Sequence, residues 1–181
     1  LIVVGSQGRS AIGRLILGSV SLEVATEASC SVRIGRRKTG KIDYRPLRIL
    51  IGLNGSASAE KAVRKVLTRT WPEGSELRIV AVDDGVSIIT TDRLSASGNH
   101  VEESLLMEGK FVKLAESKGL TVSAGIKEGD PQRVLIAEAN EWKADCIVVG
   151  SRGIKTSPWG LGSSVSAGLA ARARCSVEII R

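Results

Sequence analysis

Aromatic side chains are scarce in this chain. One Phe, one Tyr and three Trp amount to 3% of 181 residues, too few for the stacking platform that holds single-stranded bases. Histidine is scarcer still: His100 stands alone in a polar stretch, which argues against a histidine-centred triad. The three cysteines, Cys30, Cys146 and Cys175, have no zinc-site spacing, and their odd number argues against a disulfide framework. They read as small buried thiols in a reducing compartment. No apolar run approaches the roughly 20 residues that a membrane helix needs. Leu1 to Val4 is apolar but too short for a signal peptide, with no basic region before it. The chain starts without Met inside a strand-like run, as expected for a fragment or a processing product. A Walker lysine motif is missing, as are paired carboxylates near a glycine loop, a metal cluster and an activated nucleophile. No catalytic or metal-ligating residue is therefore expected.

What remains is an ordinary globular composition, 43% hydrophobic and 25% charged. Lys and Arg number 26 against 19 acidic residues, a net charge of +7. Such a balance suits nucleic acid, a membrane surface or a small anion. The basic residues are scattered, however, and the one dense run (Arg36, Arg37, Lys38, Lys41) falls in an apparent linker. A solvated basic surface is the expected outcome, without nucleic-acid binding.

The chain repeats itself. Adding 145 to the residue number turns Ile2-Val3-Val4-Gly5-Ser6 into Ile147-Val148-Val149-Gly150-Ser151, and Gly8 into Gly153. Ser19-Val20-Ser21 returns as Ser164-Val165-Ser166, and Cys30-Ser31-Val32 as Cys175-Ser176-Val177. A repeat resets the domain count. Residues 1–35 read as the C-terminal part of a first unit, 36–45 as a linker, and 46–181 as a complete second unit.

Within the second unit, Leu47 to Leu53 has the length and apolarity of a buried parallel strand. Ala59, Ala62, Val63, Val66 and Leu67 follow helical spacing, with Pro72 and Gly74 as breakers. Leu77 to Val82 is a second strand, and a helix is expected from about Val101 to Lys118, capped by Gly119. Leu120 to Ile126 is a third strand. Asp130 and Pro131 then supply an N-cap and a first helical residue, with Leu135, Ala139 and Trp142 facing inward. Asp145 to Gly150, a helix from Ser164 to about Arg172, and Ser176 to Ile180 complete the pattern. Strict alternation of strand and helix predicts an open parallel α/β sheet covered on both faces.

Ligands of such sheets bind beyond the carboxyl ends of the strands, where strand order reverses. Gly150 is placed there, and its loop leads to a helix start whose free N–H groups favour an anion. In the first copy the loop is Gly5, two residues, Gly8, nine residues, then Gly18-Ser19. With the Val-Val-Gly-Ser strand end and the βα order, this pattern resembles the universal stress protein family, over essentially the whole chain.

The resemblance implies a five-stranded sheet of order 3-2-1-4-5, adenine-nucleotide α-hydrolase-like, and ATP as the ligand, with Mg left open. It places Asn54 where ATP-binding members have an aspartate, and Val82 beside the adenine. Gly150, Arg152, Gly153, Ser163, Ser164 and Val165 match the phosphate and ribose loop, as Gly5, Gly8, Gly18 and Ser19 do in the first copy. Two departures weaken binding in the second copy: Asn54 lacks the carboxylate, and Ser163 replaces the glycine at position 18. If that glycine needs positive φ or close clearance, the serine costs about 1 kcal/mol or more. Pro158 and Trp159 replace Gly13 and Arg14 and reshape the loop.

The implied role is a cytoplasmic, regulatory, non-enzymatic stress-response protein that binds an adenine nucleotide. The alternative is a pairing or scaffold unit without nucleotide; a slow ATPase ranks third. The last strands of the family pair antiparallel across a two-fold axis, which implies pairing within the chain or in a homodimer. Val32, Ile34, Val177 and Ile179 would then share one face and Arg33 and Glu178 the other, adding only a few tenths of a kcal/mol.

Overall fold

The computed structural model describes residues 1–6, 17–36, 45–54, 56–83, 109–117, 119–151 and 165–181. Its first copy holds β1 (Ile2–Gly5), α1 (Ser19–Glu27) and β2 (Val32–Gly35). The chain continues through β3 (Arg48–Leu53), α2 (Ala57–Leu67), β4 (Glu76–Asp83) and α3, described over residues 109–116. It closes with β5 (Thr121–Glu128), α4 (Pro131–Glu141), β6 (Cys146–Gly150), α5 (Val165–Arg172) and β7 (Ser176–Ile180).

The local signals explain these elements. Ser56 caps α2, its Oγ accepting from the Ala59 N–H at 3.3 Å, which satisfies one free donor of the first turn. Ala59, Ala62, Val63, Val66 and Leu67 form the buried stripe of that helix. It ends at Leu67, ahead of Pro72, and the Trp71 indole N–H donates to the Val66 carbonyl at 2.9 Å. Asp130 caps α4 by accepting from the Arg133 N–H at 2.9 Å, with Pro131 at the first helical position. Gly119 follows α3 with φ of +72°, the left-handed conformation expected of a helix cap.

All strands join one sheet in the order β1-β2-β7-β6-β3-β4-β5. Neighbours are parallel except β2 and β7, which run antiparallel. Counted from residue 46, the strands lie in the order 3-2-1-4-5. The sheet is larger than the five strands expected, because β2 adds to the β7 edge and brings β1 with it.

Helices cover both faces. Leu50, Leu135, Ile147, Val149, Leu169, Val177 and Ile179 pack with Val32 and Ile34 of the first copy on the side of α1, α4 and α5. Ile49, Ile51, Val63, Val66, Ile79, Phe111, Val148 and Ile180 pack on the side of α2 and α3. Adjacent residues of β3 thus feed opposite cores, which is why that strand reads as continuously apolar. Leu135 and Ala139 are buried as expected, whereas Trp142 is half-buried, with the Arg78 guanidinium 4.5 Å from its ring centroid. Among the described residues no helix is long and apolar enough to cross a membrane.

The two copies share hydrogen bonds as well as sequence. Ser6 N donates to Gly35 O at 3.0 Å, and Ser151 N donates to Ile180 O at 2.8 Å. Their surroundings differ. β6 lies between β7 and β3, so Ile147 and Val148 are fully buried. β1 has β2 on one side only, and Ile2 and Val3 are 39% and 63% exposed.

The contact between copies has the expected register, with a burial and a second arginine that the sequence reading did not include. Val32 pairs with Ile179, Arg33 with Glu178 and Ile34 with Val177. Glu178 is fully buried. Its Oε2 accepts from Arg33 Nε and Nη2 at 2.8 and 2.5 Å and from Arg69 Nη1 at 2.8 Å, while Oε1 accepts from Arg69 Nη2. Burial alone would push this carboxyl up, but the hydrogen bonds and charges of Arg69 and Arg33 outweigh it and hold the group below its usual range. Removing one partner would leave a buried charge uncompensated, which costs about 3–5 kcal/mol in a fully buried pair; with Arg33 and Arg69 32% and 21% exposed, the cost here lies at or below the low end.

Arg36 is also more than a linker residue: its guanidinium donates to the Ala170, Ala171 and Cys175 carbonyls at the end of α5. Of the thiols, Cys175 is buried and Cys30 and Cys146 are half-buried.

Candidate functional site

The switch in strand order falls between β3 and β6, whose carboxyl ends point the same way. Leu53 pairs with Ala81, so Asn54 and Val82 sit one residue beyond a shared rung. Gly52 pairs with Val149, so the same extension sets Asn54 level with Ser151. Val82, Asn54 and the Gly150–Ser151 strand end therefore lie side by side on three adjacent parallel strands.

Asn54 is exposed, and its Oδ1 is already engaged: it accepts from Ser56 N at 3.3 Å and from Ser56 Oγ at 2.7 Å. Ser56 Oγ lies 3.0 Å from Ser58 Oγ. The carbonyl side of the amide thus builds the start of α2. The Nδ2 group has no hydrogen-bond partner among the described residues and remains a donor for an external acceptor. An aspartate would offer acceptors only, so the exchange reverses hydrogen-bond polarity here. Val82 is half-buried and packs against the core on the α4 side. Gly129 N donates to Asp83 O at 2.9 Å and ties off the neighbouring strand end.

Gly150 has a structural reason for being glycine. A Cβ there would lie 2.3 and 2.4 Å from the carbonyl carbon and oxygen of Ser58 and 2.6 Å from Ala59 N. The first turn of α2 rests directly on the end of β6. Close backbone approach is needed, as expected of this loop, but the approaching backbone belongs to the protein.

Gly18, in the first copy, has φ of −61° and ψ of 150°, and a Cβ would meet nothing within 4 Å. The condition under which Ser163 would be penalised, positive φ or tight clearance, does not hold at Gly18. Its N–H donates to Ser6 O at 3.1 Å, joining the two ends of the loop, and Gly5 O accepts from Ser21 Oγ at 2.7 Å. Ser19 opens α1 and is exposed. Val165 opens α5 and packs, half-buried, against the core.

Gly8, Arg152, Gly153, Ser163 and Ser164 lie outside the described residues, as do Pro158 and Trp159. The two glycine loops are not brought together. β2 and β7 are antiparallel, so the carboxyl ends of β1 and β6 point in opposite directions. Sequence reasoning overlooked the hydroxyls of Ser56 and Ser58 beside Asn54. The signal was present as Asn-Gly-Ser-Ala-Ser at a strand-to-helix junction, where serine is a favoured cap.

The sequence model described as "Universal stress protein family" matches residues 1–36 and 47–181. A universal stress protein of Mycobacterium tuberculosis is 28% identical over 183 residues, covering 100% of this chain and 61% of the relative. The chain thus spans about three fifths of the length of the curated relatives that match all of it. The crystal structure of a universal stress protein from Archaeoglobus fulgidus superposes with a TM-score of 0.65 at 25% identity, over 99% of this chain and 60% of that one. A universal stress protein crystallised in complex with cAMP gives a TM-score of 0.57 at 25% identity, over 75% of this chain and 97% of that one.

Proposed function

The chain belongs to the universal stress protein family, and on that premise we propose that it binds an adenine nucleotide at the carboxyl ends of β3, β4 and β6. The observation that carries this reading is the alignment of Asn54, Val82 and Gly150–Ser151 across the strand-order switch. That is where open α/β sheets take their ligands. A relative of 25% identity holds cAMP, which supports an adenine base as the recognised group. Asn54 Nδ2 donates to a ribose or phosphate oxygen in this reading. Gly150 and Ser151 lead into the loop that carries Arg152, Gly153, Ser163 and Ser164. The role is regulatory, in a cytoplasmic stress response: binding alters the protein, with no turnover.

Calorimetry and thermal unfolding of the whole chain with ATP, AMP and cAMP test this. Ligand at a hundredfold excess over Kd stabilises by about 2.7 kcal/mol, roughly a 5–10 °C rise in Tm for a chain of this size. No heat and no shift with any of the three at millimolar concentration would overturn the reading. Phosphate release above a blank would overturn its regulatory part.

A second reading, a pairing unit without nucleotide, draws on a different observation. The space that the missing Gly150 side chain leaves is filled by α2 backbone, while Arg33, Arg36 and Arg181 tie the two copies together through side-chain hydrogen bonds. The same titration decides between the two.

A further inference from the structure

The contact between the copies has an internal two-fold symmetry that breaks at one residue pair. Arg36 and Arg181 are equivalent under the shift of 145. Arg36 N donates to Ser176 Oγ at 3.1 Å, and Arg181 N to Ser31 Oγ at 3.2 Å. The Arg36 guanidinium reaches the carbonyls of Ala170, Ala171 and Cys175. Arg181 reaches those of Ala25, Thr26 and Cys30, which are the matching residues of α1 and its following turn. The strand register obeys the same rule: Val32 opposite Ile179 and Ile34 opposite Val177 exchange under the shift. Arg33 opposite Glu178 maps onto itself and so stands on the axis.

In a two-fold interface a residue on the axis faces its own copy. Two β7 strands from separate chains could keep the arginine clasps, the serine contacts and the valine–isoleucine packing. What changes is the axis, where Glu178 would face Glu178 in a buried setting. Like charges directly opposite on neighbouring strands are destabilising, more so without water. Two β2 strands would set Arg33 against Arg33. Arg69 lies beside Glu178 in the same copy and would offset part of the repulsion between two Glu178 carboxylates, but none of that between two Arg33 guanidinia. The residue at position 33 therefore makes the difference.

We infer that Arg33 and Glu178 are the selectivity element of this interface: they direct β7 to pair with β2 of its own chain and to reject β7 of a second chain. Two measurements on the whole chain test it. In the first, Arg33→Glu sets two carboxylates on the axis. Amide exchange at Val32–Gly35 is expected to speed up about 100-fold, with Ile49–Leu53 unchanged as a control for folding of the second copy. Inverting the whole cluster (R33E, R69E and E178R together) is expected to restore protection to within about tenfold. Exchange that stays near wild type in Arg33→Glu, or that inversion fails to restore, overturns the inference.

In the second, Val32→Asp releases β2 without touching the axis, and sedimentation reads the mass. Val32→Asp is expected to stay monomeric with Glu178 in place and to dimerise once Glu178→Gln is added. A dimer with Glu178 intact, or no dimer in either variant, overturns it. Should Val32→Asp prevent folding, the exchange measurement decides alone.

Discussion

Two glycines that share one sequence motif should respond in opposite ways to a side chain. At Gly150 an added Cβ would sit 2.3 Å from a backbone carbon of α2, where ordinary contact begins near 3.4 Å. Strand β6 and the first turn of α2 must then part by about 1 Å. Overpacking a dense interior costs about 1–3 kcal/mol. Here the obstacle is main chain in a turn held by the Ser56 cap, so the upper end applies: Gly150→Ala is expected to lose about 3 kcal/mol. Gly18→Ser meets open space with a backbone any residue adopts, and it adds a hydroxyl at an N-cap that now has no side-chain bond. Its effect is expected to be neutral to a few tenths stabilising. Urea unfolding followed by circular dichroism measures both. With a slope of about 2 kcal/mol/M, the Gly150 variant should shift its midpoint down by roughly 1.5 M. A Gly150→Ala loss below about 1 kcal/mol would refute the packing of α2 on the end of β6. A Gly18→Ser loss above that figure would reveal a constraint on Gly18 that the fold does not show.

Glu178 makes stability depend on pH. Its carboxyl is held below the usual value in the folded chain, so its contribution is complete above the unfolded carboxylate range near pH 4.5. It is lost as pH falls through the folded value. Glu178→Gln should cost about 2–3 kcal/mol at pH 7, at or below the low end for a buried pair because Arg33 and Arg69 keep 32% and 21% of their side chains exposed. The gap to wild type, read by denaturant unfolding at several pH values, should close in acid; a gap independent of pH would contradict it. Asp130→Ala removes the cap on α4 and should cost about 1 kcal/mol in the same assay. An unchanged midpoint would show that the bond from the Arg133 N–H adds nothing.

Much of this architecture was legible before any coordinates. The 145-residue repeat, the strand–helix alternation and the caps at Asp130 and Gly119 are local or periodic features. Local conformational preference and burial pattern act within a few residues, so they can be read along the chain. Even the antiparallel meeting of β2 and β7 followed once the repeat and its family resemblance were recognised.

The tertiary structure decided what those residues are for. Position 150 is glycine because α2 comes back onto β6, while position 18, the last glycine of the motif, has no such neighbour, and the motif alone does not say which of its glycines is confined. Glu178 looks like an exposed partner of Arg33 until Arg69, more than a hundred residues earlier in the chain, closes over it. Asn54 reads as a weakened aspartate, whereas the fold shows its oxygen spent on Ser56 and its nitrogen left as a donor. The sequence by itself determined the elements and the likeness to a family, and that likeness in turn implied the strand order of the second copy. Burial, clearance and charge partners arise from segments distant along the chain, and only their packing could decide them.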